Sequence, residues 1–546
     1  MNLIQEVRQF LKDNRIDYLL VNSTNEFLVE YADLMENSRY FLTKFSGSTG
    51  DALISQKDIF LFVDGRYYEQ ADLEIDKNST TVVKMKLGES LPHLLTKKIK
   101  PNKTLAMVAK KNSQGRYEIL KSALDKKNVE IRLLNSDPVI DFVNKPFEKD
   151  HKIEQIGTKI TGLCADEKLH FVSQGLNKNE ALLVTNLEEI SYLCNLRDFS
   201  REYSSKIEAK CLVKKDFAVL FSSGFIKNVG DNFEVLRLED FEKYVENLKD
   251  TDTFFVDKTS INAHDYALLG EKSAFLKENK LKTMKSVKTK AEIEHYKKCF
   301  EKTDKVLTAT RKFIEENDHI SEYDIEQNLR ANFLNFGAKS LSFKSIVAKD
   351  KNSALAHYSK SSKTEILQDG SFILIDCGAY YEGGYATDCT RVFVKGTPTV
   401  LQKKVYTVVL KGFLKAFNKK ITPNTTGFAL DNAARKVLNN HKPAGFEFSH
   451  SLGHGIGIGV HENPPSLAFS PTAKTPLKPN MCFTIEPGLY KKTFGGVRLE
   501  NSCYLSEENG KLIIKSFSNM CFEEKLIDFK LLTPTEKKQL KSFEVK

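Results

Sequence analysis

The first part of the chain alternates short apolar runs with segments of helical periodicity. Residues 18–23, 51–55 and 58–64 are apolar runs typical of strands, whereas residues 113–126 repeat apolar positions every three or four residues. This alternation predicts an α/β domain. Residues 135–150 contain two prolines and no periodicity, which indicates a linker.

The same pattern recurs after the linker. A predicted helix at 151–175 is followed by apolar runs within 180–196, 210–223 and 253–260. The segment LLVTNLEEISYLCNL also resembles YLLVNSTNEFLVEY from the first part, since in both an apolar strand precedes an asparagine and an acidic helix start. We therefore predict two related α/β domains in tandem.

The character of the chain changes near residue 289. Residues 288–317 have the periodicity of one long helix. The last 250 residues then hold most of the glycines and six of the eleven histidines. We expect three domains, at 1–140, 141–288 and 289–546, with the chemistry in the third.

Composition limits the classes of function. Of 546 residues, 41% are hydrophobic and 28% charged, which is typical of a soluble globular protein. There is no run of 18 apolar residues, and the first 15 residues are typical of a structural helix rather than a signal peptide. The nine scattered cysteines without a CxxC pair favour a reducing cytoplasm. We interpret the net charge of +10 as a lysine-rich surface, and expect neither a nucleic-acid nor a membrane partner.

Two acidic residues lie on a predicted hairpin at 372–394. Asp376 and Asp388 are equidistant from Glu382, so a turn centred there would place them opposite each other. Like charges directly opposite are destabilising and need a counter-charge, of which a metal ion is the most compact. The alternative is an exposed hairpin with solvated acids.

A second predicted hairpin spans residues 483–505. Glu486 and Glu500 each end an apolar run, FTIE and VRLE. An acid that closes a buried run is unusual for a structural strand, although a strand end that emerges into water is the alternative. Four such carboxylates near a histidine-rich strand suit two divalent cations about 3.5–4 Å apart. Oxygen-dominated ligands favour Mn or Mg over Zn.

The histidine-rich segment is HSLGHGIGIGVHE, at 450–462. It lacks the GxGxxG spacing of a dinucleotide fingerprint. In a strand, His450 and His454 would point to one side and His461 to the other. All three reach one cleft only if the chain bulges or turns, which the glycines permit.

The order of these acids and of His454, together with the motifs IDCG, TDCTR, HSLGHG, VHENP, TIEPGLY and VRLEN, resembles the dinuclear pita-bread metallopeptidases. That family includes methionine aminopeptidase, prolidase and aminopeptidase P. FSGSTGDALIS and LFVDGRYYEQA are similar to the first domain of aminopeptidase P, and LLVTNLEEISYLCNLR to the second. The resemblance implies an α/β (α+β) architecture, with two creatinase-like α/β domains before a pita-bread catalytic domain.

The resemblance also implies five ligands for two divalent metal ions: Asp376, Asp388, His454, Glu486 and Glu500. Asp388 and Glu500 would bridge both ions. Asp376 would bind one ion, and His454 with Glu486 the other. The expected metal is Mn²⁺, with Co²⁺ or Zn²⁺ as alternatives.

Further residues match the family's catalytic and substrate positions. Glu486 also matches its acid–base carboxylate, and His357 and His461 match the histidines that polarise the scissile carbonyl. His450 matches a histidine on the substrate's proline side. Arg498 and, with a weaker match, Tyr490 would orient the acidic ligands.

The activity implied is that of a cytoplasmic, homodimeric Xaa-Pro aminopeptidase, which releases the residue before proline from a peptide. The alternatives are a prolidase that cleaves dipeptides and a non-catalytic peptide- or protein-binding module. Two departures from the family stand out. The spacing from Asp376 to Asp388 is one residue longer than usual, and the chain contains no tryptophan with which some relatives line the pocket.

Overall fold

The structure, a computed structural model, describes residues 2–86, 88–145 and 149–543. Its chain divides into two compact units. The first unit comprises Met1–Gln155, Cys164–Ser200 and Ile207–Leu281. The second comprises Ile156–Leu163, Arg201–Lys206 and Lys282–Lys546.

A six-stranded sheet organises the start of the first unit, with strand order β4-β3-β2-β1-β5-β6. Its strands are β1 (Tyr18–Asn22), β2 (Asp51–Ser55), β3 (Ile59–Val63), β4 (Thr81–Lys84), β5 (Thr104–Val108) and β6 (Glu130–Leu134). The accompanying helices are α1 (Leu3–Asp13), α2 (Ser38–Thr43), α3 (Tyr68–Glu74), α4 (Leu91–Lys98), α5 (Gln114–Asp125) and α6 (Pro138–Val143). The α/β domain predicted from the apolar runs is confirmed.

A second six-stranded sheet repeats this topology, in the order β12-β11-β10-β8-β13-β14. The strands of this region are β7 (Ile153–Gln155), β8 (Glu180–Val184), β9 (Leu196–Asp198), β10 (Ala209–Lys214), β11 (Phe217–Ser222), β12 (Phe233–Arg237), β13 (Thr253–Val256) and β14 (Ser273–Phe275). The helices in this stretch of sequence are α7 (Thr158–Thr161), α8 (Ala165–Ser173), α9 (Leu187–Leu193), α10 (Phe241–Glu246), α11 (Ala263–Leu269) and α12 (Lys280–Ser286). Of these, α7 and most of α12 belong to the second unit. In the first sheet β2 pairs antiparallel with β1 and β3, and in the second β10 pairs antiparallel with β8 and β11. The other three pairs of each sheet are parallel. This shared pattern confirms two related domains.

One prediction in this region was wrong, and a second holds only in part. The single helix predicted at 151–175 is a short strand and two short helices, because Gly162 adopts a left-handed conformation (φ 76°) and ends α7. Cys164 then caps the start of α8. The predicted linker at 135–150 is helical in part, since α6 lies within it, and residues 146–148 of it lie outside the described residues.

The second unit combines long helices with small antiparallel sheets. The helices are α13 (Lys290–Glu316), α14 (Glu322–Asn335), α15 (Val400–Phe417), α16 (Gly427–His441) and α17 (Pro534–Leu540). The strands are β15 (Ser340–Leu341), β16 (Ile346–Lys349), β17 (Phe372–Cys377), β18 (Ala379–Tyr380), β19 (Cys389–Val394), β20 (Gly453–His454), β21 (Ser466–Leu467), β22 (Cys482–Ile485), β23 (Gly488–Lys491), β24 (Gly495–Arg498), β25 (Asn501–Glu508) and β26 (Lys511–Ser516). The long helix predicted at 288–317 is confirmed as α13.

Strand β17 lies at the centre of this unit and is buried on both faces. Ile373 and Ile375 pack in a core with α13 and α14. Phe372 and Leu374 pack on the opposite side with α15 and α16. Double burial explains why this strand is a continuous apolar run rather than an alternating one. In the described part of the chain, no helix is both long and apolar enough to cross a bilayer.

Candidate metal centre

Strands β17 and β19 supply the first two acidic side chains. In their antiparallel ladder Asp376 pairs with Thr390, and Asp388 lies just beyond the last pair of the ladder. The prediction that Asp376 and Asp388 are directly opposite was therefore wrong. The two carboxylates still belong to one face, because Asp388 and Thr390 are two residues apart and side chains alternate along a strand.

The position of the turn explains this difference in register. The bridge between Tyr380 and Ala386 centres the hairpin on Gly383 instead of Glu382. Gly383 and Gly384 have φ angles of 85° and 64°, a conformation that glycine adopts without strain. Two consecutive left-handed residues therefore decide where the chain reverses.

A second pair of acids lies at a break between two ladders. Strands β22 and β25 end their pairing at Ile485 and Asn501, and β23 and β24 continue in the same register. The interruption thus places Glu486 across from Glu500. Both are largely withdrawn from solvent, and Glu500 is only 1% exposed. The expectation that these acids close buried strands is met by the structure.

His454 places a ring nitrogen beside these acids. Its Nδ1 lies 2.9 Å from the carbonyl oxygen of Gly455, and only a protonated Nδ1 can donate to that oxygen. The Nε2 lone pair then faces the acids, 3.5 Å from Asp388 Oδ2 and 3.5 Å from Glu486 Oε1. Potential ligand atoms of Asp388, His454 and Glu500 lie within 4.8 Å of one another.

Arg498 connects the acids to His450. Its Nη2 donates to Asp376 Oδ2 over 2.6 Å, and its Nη1 donates to Tyr490 Oη over 2.8 Å. The Tyr490 hydroxyl, whose oxygen already accepts from the guanidinium, can donate to His450 Nε2 at 2.9 Å. Burial lowers the pKa of Arg498, but Tyr490 and Asp376 outweigh it and hold that pKa well above its usual range.

The four acids are largely withdrawn from solvent and repel one another, and a bound cation would offset that repulsion. Burial, followed by repulsion from neighbouring carboxylates, raises the pKa of Asp388 and Glu500 well above their usual values. The same causes raise the pKa of Glu486 to about 8. In the described part of the chain, the buried oxygens Asp376 Oδ1, Asp388 Oδ1 and Glu500 Oε1 have no hydrogen-bond partner. Such orphaned carboxylate oxygens fit hard divalent cations.

His461 lies next to His454. The two rings are perpendicular, with centroids 4.5 Å apart. The chain between them is a tight loop rather than a strand, closed by hydrogen bonds from Gly455 N to Pro465 O and from Glu462 N to Gly455 O, both 2.8 Å. The turn that the glycines were expected to permit is thus present.

His357 occupies a turn directly after a short 3₁₀-helix at Asp350–Ala354. This helix is attached to β24, because Gly496 N donates to Ser353 Oγ over 2.8 Å. Strand β24 also carries Arg498. The structure therefore places half-buried His357 on a turn anchored to the strand that orients the acids.

Sequence reasoning missed Thr390, which contacts two members of the site. Its Oγ1 donates to Glu500 Oε2 over 2.7 Å and accepts from Arg498 Nε at 3.2 Å. Thr390 lies two residues after Asp388, so strand periodicity alone places it on the same face. That signal was present in the TDCTR motif.

Sequence reasoning also missed Glu462, the residue after His461. Its side chain is 1% exposed and lies 3.2 Å from Lys285 Nζ and 2.7 Å from Lys288 Nζ, both lysines being buried. Burial raises the pKa of Glu462, but the two lysines outweigh it and lower that pKa to about 2. A Cβ atom at Gly457 would lie 2.1 Å from Glu462 Oε1, so this glycine leaves room for the carboxylate.

Three family models together match most of the chain. The model of metallopeptidase family M24 matches residues 294–507. The model of the creatinase/prolidase N-terminal domain matches residues 4–142, and a second model of that domain matches residues 144–292. The chain therefore carries an M24 metallopeptidase domain at residues 294–507, preceded by two creatinase-type N-terminal domains. The fold expected from the resemblance, with a C-terminal pita-bread domain, is confirmed.

Similar proteins align with almost the whole of this chain. Xaa-Pro aminopeptidase 1 of Dictyostelium discoideum is 26% identical, covering 98% of this chain and 90% of that protein. A probable Xaa-Pro aminopeptidase P of Pyricularia oryzae is 28% identical, covering 99% and 94%. The X-prolyl aminopeptidase of Caenorhabditis elegans, described as a cytosolic enzyme with a di-nuclear active site, has a TM-score of 0.88 at 21% identity, covering 99% and 95%. That last likeness establishes the fold.

Proposed function

We propose that this M24 metallopeptidase is a metal-dependent aminopeptidase that releases the first residue from peptides with proline in second position. The observation that carries the proposal is the buried cluster of carboxylates with orphaned oxygens around His454 Nε2. Relatives that align with this chain over at least 90% of their own length are named Xaa-Pro aminopeptidases. The proposal joins that substrate class to this site.

The ligands proposed for two divalent ions are Asp376, Asp388, His454, Glu486 and Glu500. Asp388 and Glu500 are assigned to both ions. Four of the five donors are carboxylates, which favours Mn²⁺, while Co²⁺ and Zn²⁺ remain alternatives. When bound, the ions supply Lewis acidity that lowers the pKa of water and polarises a carbonyl group.

Glu486 is the group proposed to move a proton. A carboxylate beside the attacking water can accept a proton and return it to the leaving group, which is the role of a general acid–base. The Glu486 side chain is 17% exposed, against 12% for Asp376 and 7% for Asp388, so it lies at the edge of the cluster. The proton acquired from water would pass to the leaving proline nitrogen.

The proposed roles of the histidines follow from their positions. His461, beside His454, and His357 would donate hydrogen bonds to the oxygen of the scissile carbonyl as negative charge develops there. His450, whose Nε2 accepts from Tyr490, would contact the substrate on its proline side. Arg498 and Tyr490 would hold Asp376 and His450 in register.

A prolidase is the nearest alternative. An Xaa-Pro bond has a tertiary nitrogen and a restricted geometry, so both activities need a dedicated site. The prolidase of Thermococcus sibiricus, with a TM-score of 0.53 and 24% identity, covers 66% of this chain and 97% of itself. The present chain is longer than that prolidase, and the additional length favours the aminopeptidase.

We further propose folding domains at 1–140, 141–288 and 289–546, a homodimer, and a location in the cytoplasm. The nine cysteines are all free thiols in the described structure, which suits a reducing compartment. Limited proteolysis would test the domain boundaries, and sedimentation equilibrium would test the dimer.

The activity test uses chelated protein to which Mn²⁺, Co²⁺ or Zn²⁺ is returned separately. An Xaa-Pro-Xaa tripeptide should be cleaved after its first residue only when metal is returned. An Xaa-Ala-Xaa tripeptide serves as the control and should remain intact. Faster cleavage of an Xaa-Pro dipeptide than of the tripeptide would favour the prolidase, and no cleavage with any metal would contradict the proposal.

A further inference from the structure

Glu322 is a fully buried carboxylate that lies outside the metal cluster. Its Oε1 accepts hydrogen bonds from Lys349 N at 2.6 Å and from Asn352 Nδ2 at 2.9 Å. Its Oε2 accepts from Tyr358 Oη at 2.7 Å and from Ser362 N at 2.8 Å. Two donors on each oxygen satisfy the carboxylate, and all four are neutral groups.

The order of these donors along the chain encloses His357. Lys349 and Asn352 precede His357, and both donate to Oε1. Tyr358 follows His357 directly and donates to Oε2, and the backbone N–H of Ser362 donates to the same oxygen. One oxygen of Glu322 thus fixes the chain before His357 and the other oxygen fixes the chain after it.

Glu322 itself is rigidly placed. It is the first residue of the 14-residue helix α14, where the helix dipole favours a negative charge. The N-cap Ser321 and Asp324 form a capping box that fixes this helix start. A buried carboxylate is costly unless its hydrogen bonds are complete, so the position of Glu322 dictates the conformation of the loop that surrounds it.

We propose that Glu322 is a positioning residue that holds His357 where it meets the scissile carbonyl. The inference rests on the proposed function, because His357 is assigned its role there. Glu322 acts through the loop and has no contact with the carboxylates that are assigned to the metal. Its effect is therefore on turnover, with metal content unchanged.

Glu322→Gln is the sharpest substitution. Only one end of the glutamine amide can accept hydrogen bonds. Its NH₂ group would therefore face two of the four donors, and the chain on that side of His357 would lose its hydrogen bonds to residue 322. We expect kcat for an Xaa-Pro-Xaa peptide to fall about 10- to 100-fold with KM little changed, since a small displacement of a catalytic group has an effect of this size. The Mn²⁺ content measured by metal analysis should equal that of wild type.

A double-mutant cycle with His357→Ala separates positioning from general destabilisation. If Glu322 acts through His357, Glu322→Gln should lower kcat less than about twofold once His357 is already alanine. Equal losses of kcat in both backgrounds, or a loss of bound Mn²⁺, would overturn the inference. Inactive wild-type protein would overturn the proposed function as well, which distinguishes the two failures.

Two further variants keep the test informative if Glu322→Gln folds poorly. Tyr358→Phe removes only one donor and should give a smaller loss of kcat, with the same non-additivity toward His357→Ala. Glu523→Gln is the matched control, since it makes the same change at a buried glutamate that pairs with Arg311 and does not contact this loop. A fall in kcat for Glu523→Gln equal to that of Glu322→Gln would count against the inference.

Discussion

Two groups of buried carboxylates in the same unit behave in opposite ways. In the acid cluster, formed by Asp376, Asp388, Glu486 and Glu500, burial and mutual repulsion raise the pKa of the last three. In the lysine triad, formed by Glu462 with Lys285 and Lys288, the pKa of Glu462 is instead lowered to about 2. Both groups are shielded from water, so burial does not explain the difference.

The difference lies in the source of the counter-charge. The lysine triad contains its own cations, within 3.2 Å of the carboxylate, and its charge is fixed by the fold. The acid cluster has Arg498 on one side only and leaves three oxygens without partners among the described residues. The chain thus supplies cations where it stabilises a loop, and leaves carboxylates uncompensated where an ion is to bind.

The largest effect is expected when the acid cluster is broken. Glu500→Gln should lower kcat/KM at least about 10³-fold, because ligands of a shared site act as a unit. The metal-free variant should be no less stable than metal-free wild type, since one of several repelling charges is gone. Kinetics, metal analysis and urea unfolding measure these quantities.

A matched control for that variant is Glu523→Gln, which alters a buried glutamate paired with Arg311 away from the cluster. It should retain both activity and metal. A Glu500→Gln enzyme that binds two ions and turns over normally would contradict the assignment of the cluster.

Breaking the lysine triad should act on stability instead. Lys288→Met leaves part of the Glu462 charge uncompensated and should lower the free energy of unfolding by about 3–5 kcal/mol. The exposed pair Lys442–Glu447 provides the control, and Lys442→Met should cost less than about 1 kcal/mol. Equal losses for the two variants in urea unfolding would show that burial of the triad has no energetic consequence.

The pH dependence of stability offers a second test of the triad. The Glu462 pKa is about 2 when folded and near 4.5 in the reference state, so its contribution is present above pH 4.5 and is lost as pH falls toward 2. This loss amounts to about 3 kcal/mol. Lys285 and Lys288 face the carboxylate, and Glu292, Tyr296 and Cys482 lie on the elements packed around them.

The measurement is the difference in unfolding free energy between wild type and Glu462→Gln over a range of pH. That difference should be constant from about pH 8 to 5.5 and shrink below about 4.5, because a protonated Glu462 resembles glutamine. A difference that stays flat or grows as the pH falls would mean that the lysines do not stabilise the carboxylate.

The smallest effect is expected at the edge of the acid cluster. Thr390→Val removes the hydroxyl that orients Glu500 and should weaken metal binding about 10-fold, as for other groups that support ligands. Thr407→Val removes an equally buried hydroxyl on α15 and should leave metal affinity unchanged. Metal titration compares the affinities of the two variants directly. Equal affinities would contradict a role for Thr390 in metal binding.

Much of the fold was predictable because its signals are local. The apolar run of β17, the periodicity of α13 and the repeated pattern of the two α/β domains each lie within one segment of sequence. The helix predicted at 151–175 failed because a left-handed glycine interrupts it. The predicted register of Asp376 and Asp388 was wrong for a related reason, because the left-handed Gly383 and Gly384 decide where the hairpin turns.

The sequence by itself determined which acids close apolar runs, in what order, and on which face of the strand they lie, because alternation along a strand is a short-range property. Only the tertiary structure decided which of the buried carboxylates carry a counter-charge. Lys288 is 174 residues from Glu462, and Glu322 is up to 40 residues from the donors that surround it. Such partners leave no local pattern, because their proximity arises only when the helices and sheets pack together.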